Sequence, residues 1–288
     1  MIRVVMLGRL ANNLFQYALG RTLAEKHGTE LQIDGSWFNG RTWKYVEDLQ
    51  RFPGMSSGLA RLTRPFSLGS RILKKATHKH HWEYLGLPII REQENNHSFD
   101  PRLLDAPEDC VIFGYFQSWR YFDSISEQLR RELSTAEMGL EVGYERLSAD
   151  LRAPGSVAIH VRRTDYVNNR NLVLLDAAYY QLAIDRIRRR IAHPRFFIFS
   201  DDPAWCLKNF SGTDRTVVVH DQPVSPLVDL HLMSLADHHI IANSSYSWWA
   251  AWLGRKPDQQ VLMPPAWFKG ISAPIGDKQC ANWEIVSG

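Results

Sequence analysis

β-Rich runs alternating with amphipathic helices predict an α/β protein built on parallel sheets. Three observations carry that expectation. The second half repeats strand and helix with short loops between them. The first forty residues start with the same alternation. Between the halves, the stretch 137–155 carries Gly139, Gly143, Pro154 and Gly155, which predicts a boundary near residue 150. The expected domains are therefore 1–150 and 151–288.

The elements follow in order. Ile2 to Leu7 reads as a strand, Asn13 to His27 as a helix and Glu30 to Ile33 as a second strand. An irregular stretch runs to about residue 106, followed by a strand at Cys110 to Tyr115 and a helix at Ser124 to Leu133. Val157 to Val161 is β-rich. Ala177 to Ala192 is helical, with Ala183, Ile184, Ile187 and Ile191 on one face. Strands are expected at Arg195 to Phe199, Thr216 to His220, His239 to Ala242 and Gln260 to Met263. Helices are expected at Ala204 to Phe210, at Leu227 to Ala236 behind Pro226, and at Tyr246 to Leu253, closed by Gly254.

Composition narrows the class. The chain has 288 residues, 44% hydrophobic and 23% charged, which excludes disordered, collagen-like and disulfide-scaffold proteins. No run approaches the roughly 20 apolar residues of a membrane span. Ile2 to Leu7 is too short for a signal-peptide core. Cys110, Cys206 and Cys280 show no CxxC spacing, so inert thiols in a reducing cytoplasm are expected. A net charge of +3 does not point to nucleic acid. The charge is uneven: residues 41–82 sum to +7 and residues 83–150 to −8. The two blocks could pair or form solvated faces. The basic block, with His78, His80 and His81, could instead meet an anionic acceptor or a membrane surface.

In an open α/β sheet, ligands bind beyond the carboxyl ends of the strands. Three such ends carry complementary chemistry: His160-Val161-Arg162-Arg163-Thr164-Asp165-Tyr166, Ser200-Asp201-Asp202, and Asn243-Ser244-Ser245-Tyr246-Ser247-Trp248-Trp249. Alternation along a strand points His160 and Arg162 the same way and Arg163 the other. An Arg offers a planar fork of donors for phosphate oxygens. A Ser-rich helix start offers hydroxyls, free N–H groups and the positive end of the helix dipole. Together they suit a pyrophosphate, while Asp201 or Asp202 could accept from a nucleobase or ribose. Each piece has a plainer use. An Arg pair beside an Asp makes a salt-bridged loop, and serines or aspartates before a helix make caps. Their coincidence at successive strand ends favours a shared ligand. Asp201 and Asp202 could also hold a divalent cation, but no further ligand stands at an obvious spacing.

The turn Gly8-Arg9-Leu10-Ala11-Asn12-Asn13-Leu14-Phe15-Gln16-Tyr17 is another strand-to-helix junction, with neither a GxGxxG nor a Walker A pattern. Arg9 and Asn12 could reach a ligand there, or serve as a surface Arg and a helix cap. Trp248, Trp249 and Trp252 share one short helix and are expected in the core. Trp37, Trp43, Trp119 and Trp267 fall in loops, where aromatic faces could stack on sugars.

These residues resemble the α-1,2-fucosyltransferase family. The likeness rests on the 160–166 motif, Phe199-Ser200-Asp201-Asp202 with Trp205-Cys206, the run 243–253, and Gly8-Arg9-Leu10 through Tyr17-Ala18. They stand in the family's order and span nearly the whole chain. The HxRRxD element is shared with α-1,6- and protein O-fucosyltransferases. The Asn-Ser-Ser-Tyr-Ser-Trp-Trp element is more specific, and the compact length resembles the bacterial branch. The resemblance implies a GT-B fold, with two Rossmann-like domains facing a central cleft. It implies a GDP-β-L-fucose donor and inverting transfer to the 2-hydroxyl of a galactose-terminated glycan, without an obligatory metal. It also implies surface-polysaccharide synthesis in the cytoplasm, at most peripheral to the inner membrane.

By that likeness Arg162 grips the pyrophosphate and His160 lies near the nucleotide. Asp201 and Asp202 face guanine or ribose. Ser244, Ser245, Tyr246 and Ser247 line the β-phosphate. Arg9, Asn12, Gln16 and Asp34 lie on the acceptor side, where the acceptor is an oligosaccharide or a lipid-linked glycan. Arg162, Asn12 and Asp165 are the catalytic candidates, and Asp34 is a second candidate base. Around Asn12 the family has Gly and Gln where this chain has Ala11 and Asn13. Two alternatives remain at this level. One is an α-1,6-, O-fucosyl- or other GDP-sugar transferase, and the other is a non-catalytic nucleotide- or polyanion-binding module.

Overall fold

The computed structural model describes residues 1–38, 44–57, 60–63, 86–93, 98–270 and 275–287, with the backbone alone at 44–46 and 60–63. The chain divides into two units, Met1–Ser134 and Thr135–Gly288. The expected boundary near 150 therefore lies too late. The helix at Glu145–Arg152 packs on the sheet of the second unit, which carries the chain from 135 onward into that unit.

The first unit holds β1 (Ile2–Val5), α1 (Leu10–His27), β2 (Leu31–Asp34), α2 (Lys44–Gln50), α3 (Pro53–Ser56), β3 (Ala60–Thr63), β4 (Ile89–Arg91), β5 (Cys110–Phe113) and α4 (Ser126–Glu132). Its sheet is parallel throughout, in the order β3-β2-β1-β5-β4. α1 is buried from Leu10 to Ala24 except at Asn12, polar Asn13, Gln16, Arg21 and Thr22 included, as befits a helix packed on a central strand. Gly20 permits the close approach, since a Cβ there would meet Val4 Cγ2 at 2.4 Å. Gly28 ends the helix at φ 62°, and its N–H returns to Ala24 and Glu25 carbonyls. The helix begins at Leu10 rather than Asn13.

The second unit holds α5 (Glu145–Arg152), β6 (Ser156–Val161), α6 (Thr164–Val167), α7 (Ala177–Arg188), β7 (Arg195–Ser200), α8 (Pro203–Asn209), β8 (Arg215–Val217), α9 (Pro226–Leu235), β9 (His238–Ile240), α10 (Ser245–Leu253), β10 (Val261–Met263) and β11 (Trp283–Ile285). The sheet order is β11-β10-β9-β6-β7-β8, all parallel. Read from β8, the order in chain sequence is third, second, first, fourth, fifth, sixth, which is the Rossmann arrangement. Every residue of β6 is buried. Val157, Ile159 and Val161 meet Tyr180, Ala183, Ile184 and Ile187 of α7 on one face. On the other face α5 and α9 cover the strand, and Ser156 Oγ donates to Leu151 O. Trp248, Trp249 and Trp252 lie in the core, as expected, and the Trp248 indole donates to Lys278 O at 2.7 Å.

Candidate functional site

β6 is the central strand, with β7 on one side and β9 on the other. The chain leaves β6 toward β7 and returns to pair β9 with its opposite edge. The crevice between the ends of β6 and β9 is therefore the topological switch point of the second unit, where open α/β sheets bind ligands. Arg162 follows β6 there, and Ser244 and Ser245 open α10 beyond β9.

Arg162 is held by two carboxylates. Its Nε donates to Asp165 Oδ1 at 2.8 Å, and its Nη1 stands 3.3 Å from Asp201 Oδ2. The guanidinium carbon lies 5.9 Å from the centroid of the Tyr166 ring. Its side chain is 19% exposed, so one edge of the fork still meets solvent. Arg163 turns the other way, as strand alternation requires. Its Nε lies 3.3 Å from Asp202 Oδ2, and its guanidinium covers the Trp205 ring at 4.1 Å.

Asp201 and Asp202, which the sequence offers to a ribose or base, both have partners within the chain. Asp201 accepts from Arg163 N at 2.8 Å, from Thr164 N at 3.1 Å and from the Thr164 hydroxyl, so it ties down the first turn of α6. Asp202 caps α8 by accepting from Trp205 N at 3.1 Å. The parallel register places Val161 beside Ser200, and the two loops leave the sheet side by side. The orphan N–H groups of two helix starts claim the nearest carboxylates. Among the described residues no group of three His, Cys, Asp or Glu side chains could hold a metal ion.

His160 lies on the same face as Arg162. It is 5% exposed, its Nδ1 makes no hydrogen bond, and its ring centroid is 5.5 Å from that of Tyr246. Burial, reinforced by the Arg162 charge, pushes its pKa down to about 3, so the ring is neutral at physiological pH. Ser244 caps α10, accepting from Tyr246 N at 3.4 Å. Ser247 is buried and its hydroxyl returns to Ser244 O at 3.4 Å, so it braces the helix start from inside. The Tyr246 hydroxyl donates to Pro226 O.

Two residues outside the expected set organise this rim. The Tyr166 hydroxyl crosses from α6 to donate to Asn243 O at 2.8 Å, and burial raises its pKa to about 12. The Asn243 amide donates to Val173 O at 2.9 Å and to Trp267 O at 3.0 Å. Both stand at the ends of the sequence motifs. Their signal was the residue type alone, a hydroxyl and an amide flanking a helix start.

The first unit's junction lies at the carboxyl end of β1. Gly8 adopts φ 77°, and a Cβ there would meet Asn12 Nδ2 at 2.4 Å. Arg9 is exposed and is the residue before α1. Asn12 accepts from Gln117 Nε2 at 2.9 Å, which links it to the loop after β5. Gln16 is fully buried and does not line an open surface. Its Oε1 accepts from Leu7 N at 3.0 Å and its Nε2 donates to Gly114 O at 2.9 Å. Asn13 supports the same junction, donating to Leu7 O at 2.9 Å. Asp34 ends β2, is also buried, and accepts from Ser36 N at 2.8 Å. Ala11 sits inside α1, so this position requires no left-handed backbone. Trp267 is buried and Trp37 is 46% exposed. Trp43, His78, His80 and His81, with most of the basic block at 41–82, lie outside the described residues.

Burial raises the Cys110 and Cys206 thiols to about 11, which makes them poor nucleophiles. No helix of the described residues is long and apolar enough to cross a membrane.

The chain is similar to several known proteins. The chain is 28% identical over 271 residues to an Escherichia coli α-1,2-colitosyltransferase, covering 91% of this chain and 90% of that one. It is 32% identical over 184 residues to a rat galactoside α-(1,2)-fucosyltransferase 1, covering 60% of this chain and 47% of that one. The fold is similar to that of the fucosyltransferase NodZ from Bradyrhizobium, with a TM-score of 0.54, 13% identity, and 86% and 92% of the two chains covered. With two parallel Rossmann-like units, the architecture is GT-B. The model for glycosyl transferase family 11 matches residues 59–269, and the chain belongs to that family.

Proposed function

We propose that this glycosyltransferase moves L-fucose from GDP-β-L-fucose to the 2-hydroxyl of a terminal galactose, with inversion and no obligatory metal, in the assembly of a surface polysaccharide. The observation that carries the reading is Arg162, held by Asp165 and Asp201 at the switch point beside the start of α10. A guanidinium aligned by carboxylates is pre-organised for a diphosphate. The N–H groups of a helix start add a second set of donors. The α-1,2 linkage is supported by the two relatives, whose names share it.

In the reaction the bond from the sugar C1 to the β-phosphate oxygen breaks, and its electron pair leaves with GDP. Arg162 and the α10 N-terminus meet the negative charge as it grows. The acceptor oxygen bonds to C1 from the opposite face of an oxocarbenium-like centre, and its proton passes to solvent. Neutral His160 supplies a hydrogen-bonding edge near the phosphates without adding charge. Asp165 is engaged by Arg162 and serves as its orienting partner rather than as the base. Arg9 and Asn12, at the β1–α1 junction of the first unit, are assigned to the acceptor side, and the buried Gln16 and Asp34 support that junction from below.

Incubation with GDP-fucose and β-galactoside disaccharides in the presence of chelator tests this reading. A product heavier by one deoxyhexose, with linkage analysis showing substitution at O2, is expected. Transfer to another position, or no transfer by a protein that binds no GDP, overturns it. The colitosyltransferase relative favours a second donor reading, GDP-colitose. A higher kcat/KM for that donor in the same assay would select it. Arg162→Ala is expected to lower turnover by about 10²–10³-fold, the cost of removing one transition-state donor, with circular dichroism unchanged.

A further inference from the structure

Tyr166 and Asn243 lie on opposite sides of the switch point. Tyr166 belongs to the turn after β6 and Asn243 to the turn after β9, and these strands are neighbours with Ile159 beside Ile240. The Tyr166 hydroxyl closes the gap by donating to the main-chain carbonyl of Asn243 at 2.8 Å. That carbonyl belongs to the peptide joining Asn243 to Ser244, the cap of α10, whose backbone is extended at φ −136° and ψ 127°. Fixing this peptide plane fixes how the first N–H groups of α10 are aimed.

The same residue is held from its other end. Asn243 is 2% exposed, and both protons of its amide are taken by the carbonyls of Val173 and Trp267. Those carbonyls belong to two rim segments that pair through Leu172 and Phe268, with Lys269 N donating to Asn171 O at 2.8 Å. Tyr166 in turn carries Arg162 over its ring.

We infer that Tyr166 and Asn243 are positioning residues, a latch that keeps Arg162 and the N-terminus of α10 in register around the donor diphosphate. The inference rests on the diphosphate site proposed above and goes beyond it in naming what aligns its two halves. Neither residue is required to touch the donor. Breaking the latch leaves both sets of donors present but mis-set, so charge stabilisation in the transition state falls while acceptor binding is untouched.

The test uses the full chain and GDP as probe. Calorimetry measures the GDP Kd of wild type, Tyr166→Phe and Asn243→Asp, and steady-state kinetics give kcat and the acceptor KM. Tyr166→Phe keeps the ring under Arg162 and removes one hydrogen bond. It is expected to raise the GDP Kd and lower kcat by about tenfold each, the scale of one buried hydrogen bond, with the acceptor KM unchanged and the melting temperature lowered by no more than a few degrees. Asn243→Asp sets a carboxylate against two carbonyls and is expected to do at least as much. A GDP Kd and kcat within twofold of wild type in Tyr166→Phe overturn the latch. So does an Asn243→Asp protein that melts earlier yet binds GDP normally, because the residue would then be structural only. If the wild type itself binds no GDP, the diphosphate site is refuted and the latch falls with it.

Discussion

Gln16 shows how a polar side chain in a functional-looking motif can act entirely inward. Its amide joins the backbone at the end of β1 to the backbone after β5, just beyond the paired stretch of the two strands. Gln16→Leu leaves Leu7 N–H and Gly114 C=O buried without these partners and is expected to destabilise the protein by about 2–6 kcal/mol, at roughly 1–3 kcal/mol per unmet group. A urea titration checks this, and a loss below about 0.5 kcal/mol contradicts it. Asp201 follows the same logic, since helix-start N–H groups lay within its reach. Residue types alone do not separate a carboxylate waiting for a nucleotide from one already capping a helix. Arg162 and Arg163 were separable, because strand alternation sends them to opposite faces.

At the scale of elements, segments with a periodic pattern or clear turn signals were legible, and segments with neither were not. α7 emerged from its apolar spacing, α10 from the helix stop at Gly254, and β6 to β10 from β-rich runs between turn signals. β3, β4 and β11 have three or four residues each and sit in stretches with no clear alternation. Their strand character comes from pairing with neighbours already in place, which is a tertiary effect. α1 began early because Leu10 and Ala11 bury against the core and Arg9 can precede a helix without a side-chain cap. β9 carries a pH-sensitive feature. His239 is buried, with Nε2 against Met233 O at 2.8 Å and Nδ1 facing Gln259 Nε2 at 3.1 Å. Burial lowers its pKa to about 4, as it lowers that of His160 to about 3. The unfolded chain takes up protons first, so stability is complete above about pH 6.5. It is lost as pH falls from there toward 4. Melting temperatures across pH 4–8 should show this slope, and His239→Gln should flatten it. Equal slopes in the two proteins contradict the assignment.

For the molecule as a whole, two parallel units of the same class were legible because each repeats strand, helix and strand. The boundary was misplaced by about fifteen residues, because Gly and Pro near 155 mark the turn into β6 rather than the end of a domain. The rim proposed for the diphosphate is built from three motifs that the sequence presents separately, since the Rossmann order sets β9, β6 and β7 side by side. What joins those loops was not legible, because the contacts between Tyr166 and Asn243 span 77 residues of sequence. The measurement that tests the account most directly is a crystal structure of the chain soaked with GDP. The account predicts both phosphates in the crevice between β6 and β9, within hydrogen-bond distance of the Arg162 guanidinium and the first N–H groups of α10. A diphosphate bound away from that crevice, with Arg162 still paired only to Asp165 and Asp201, would contradict it.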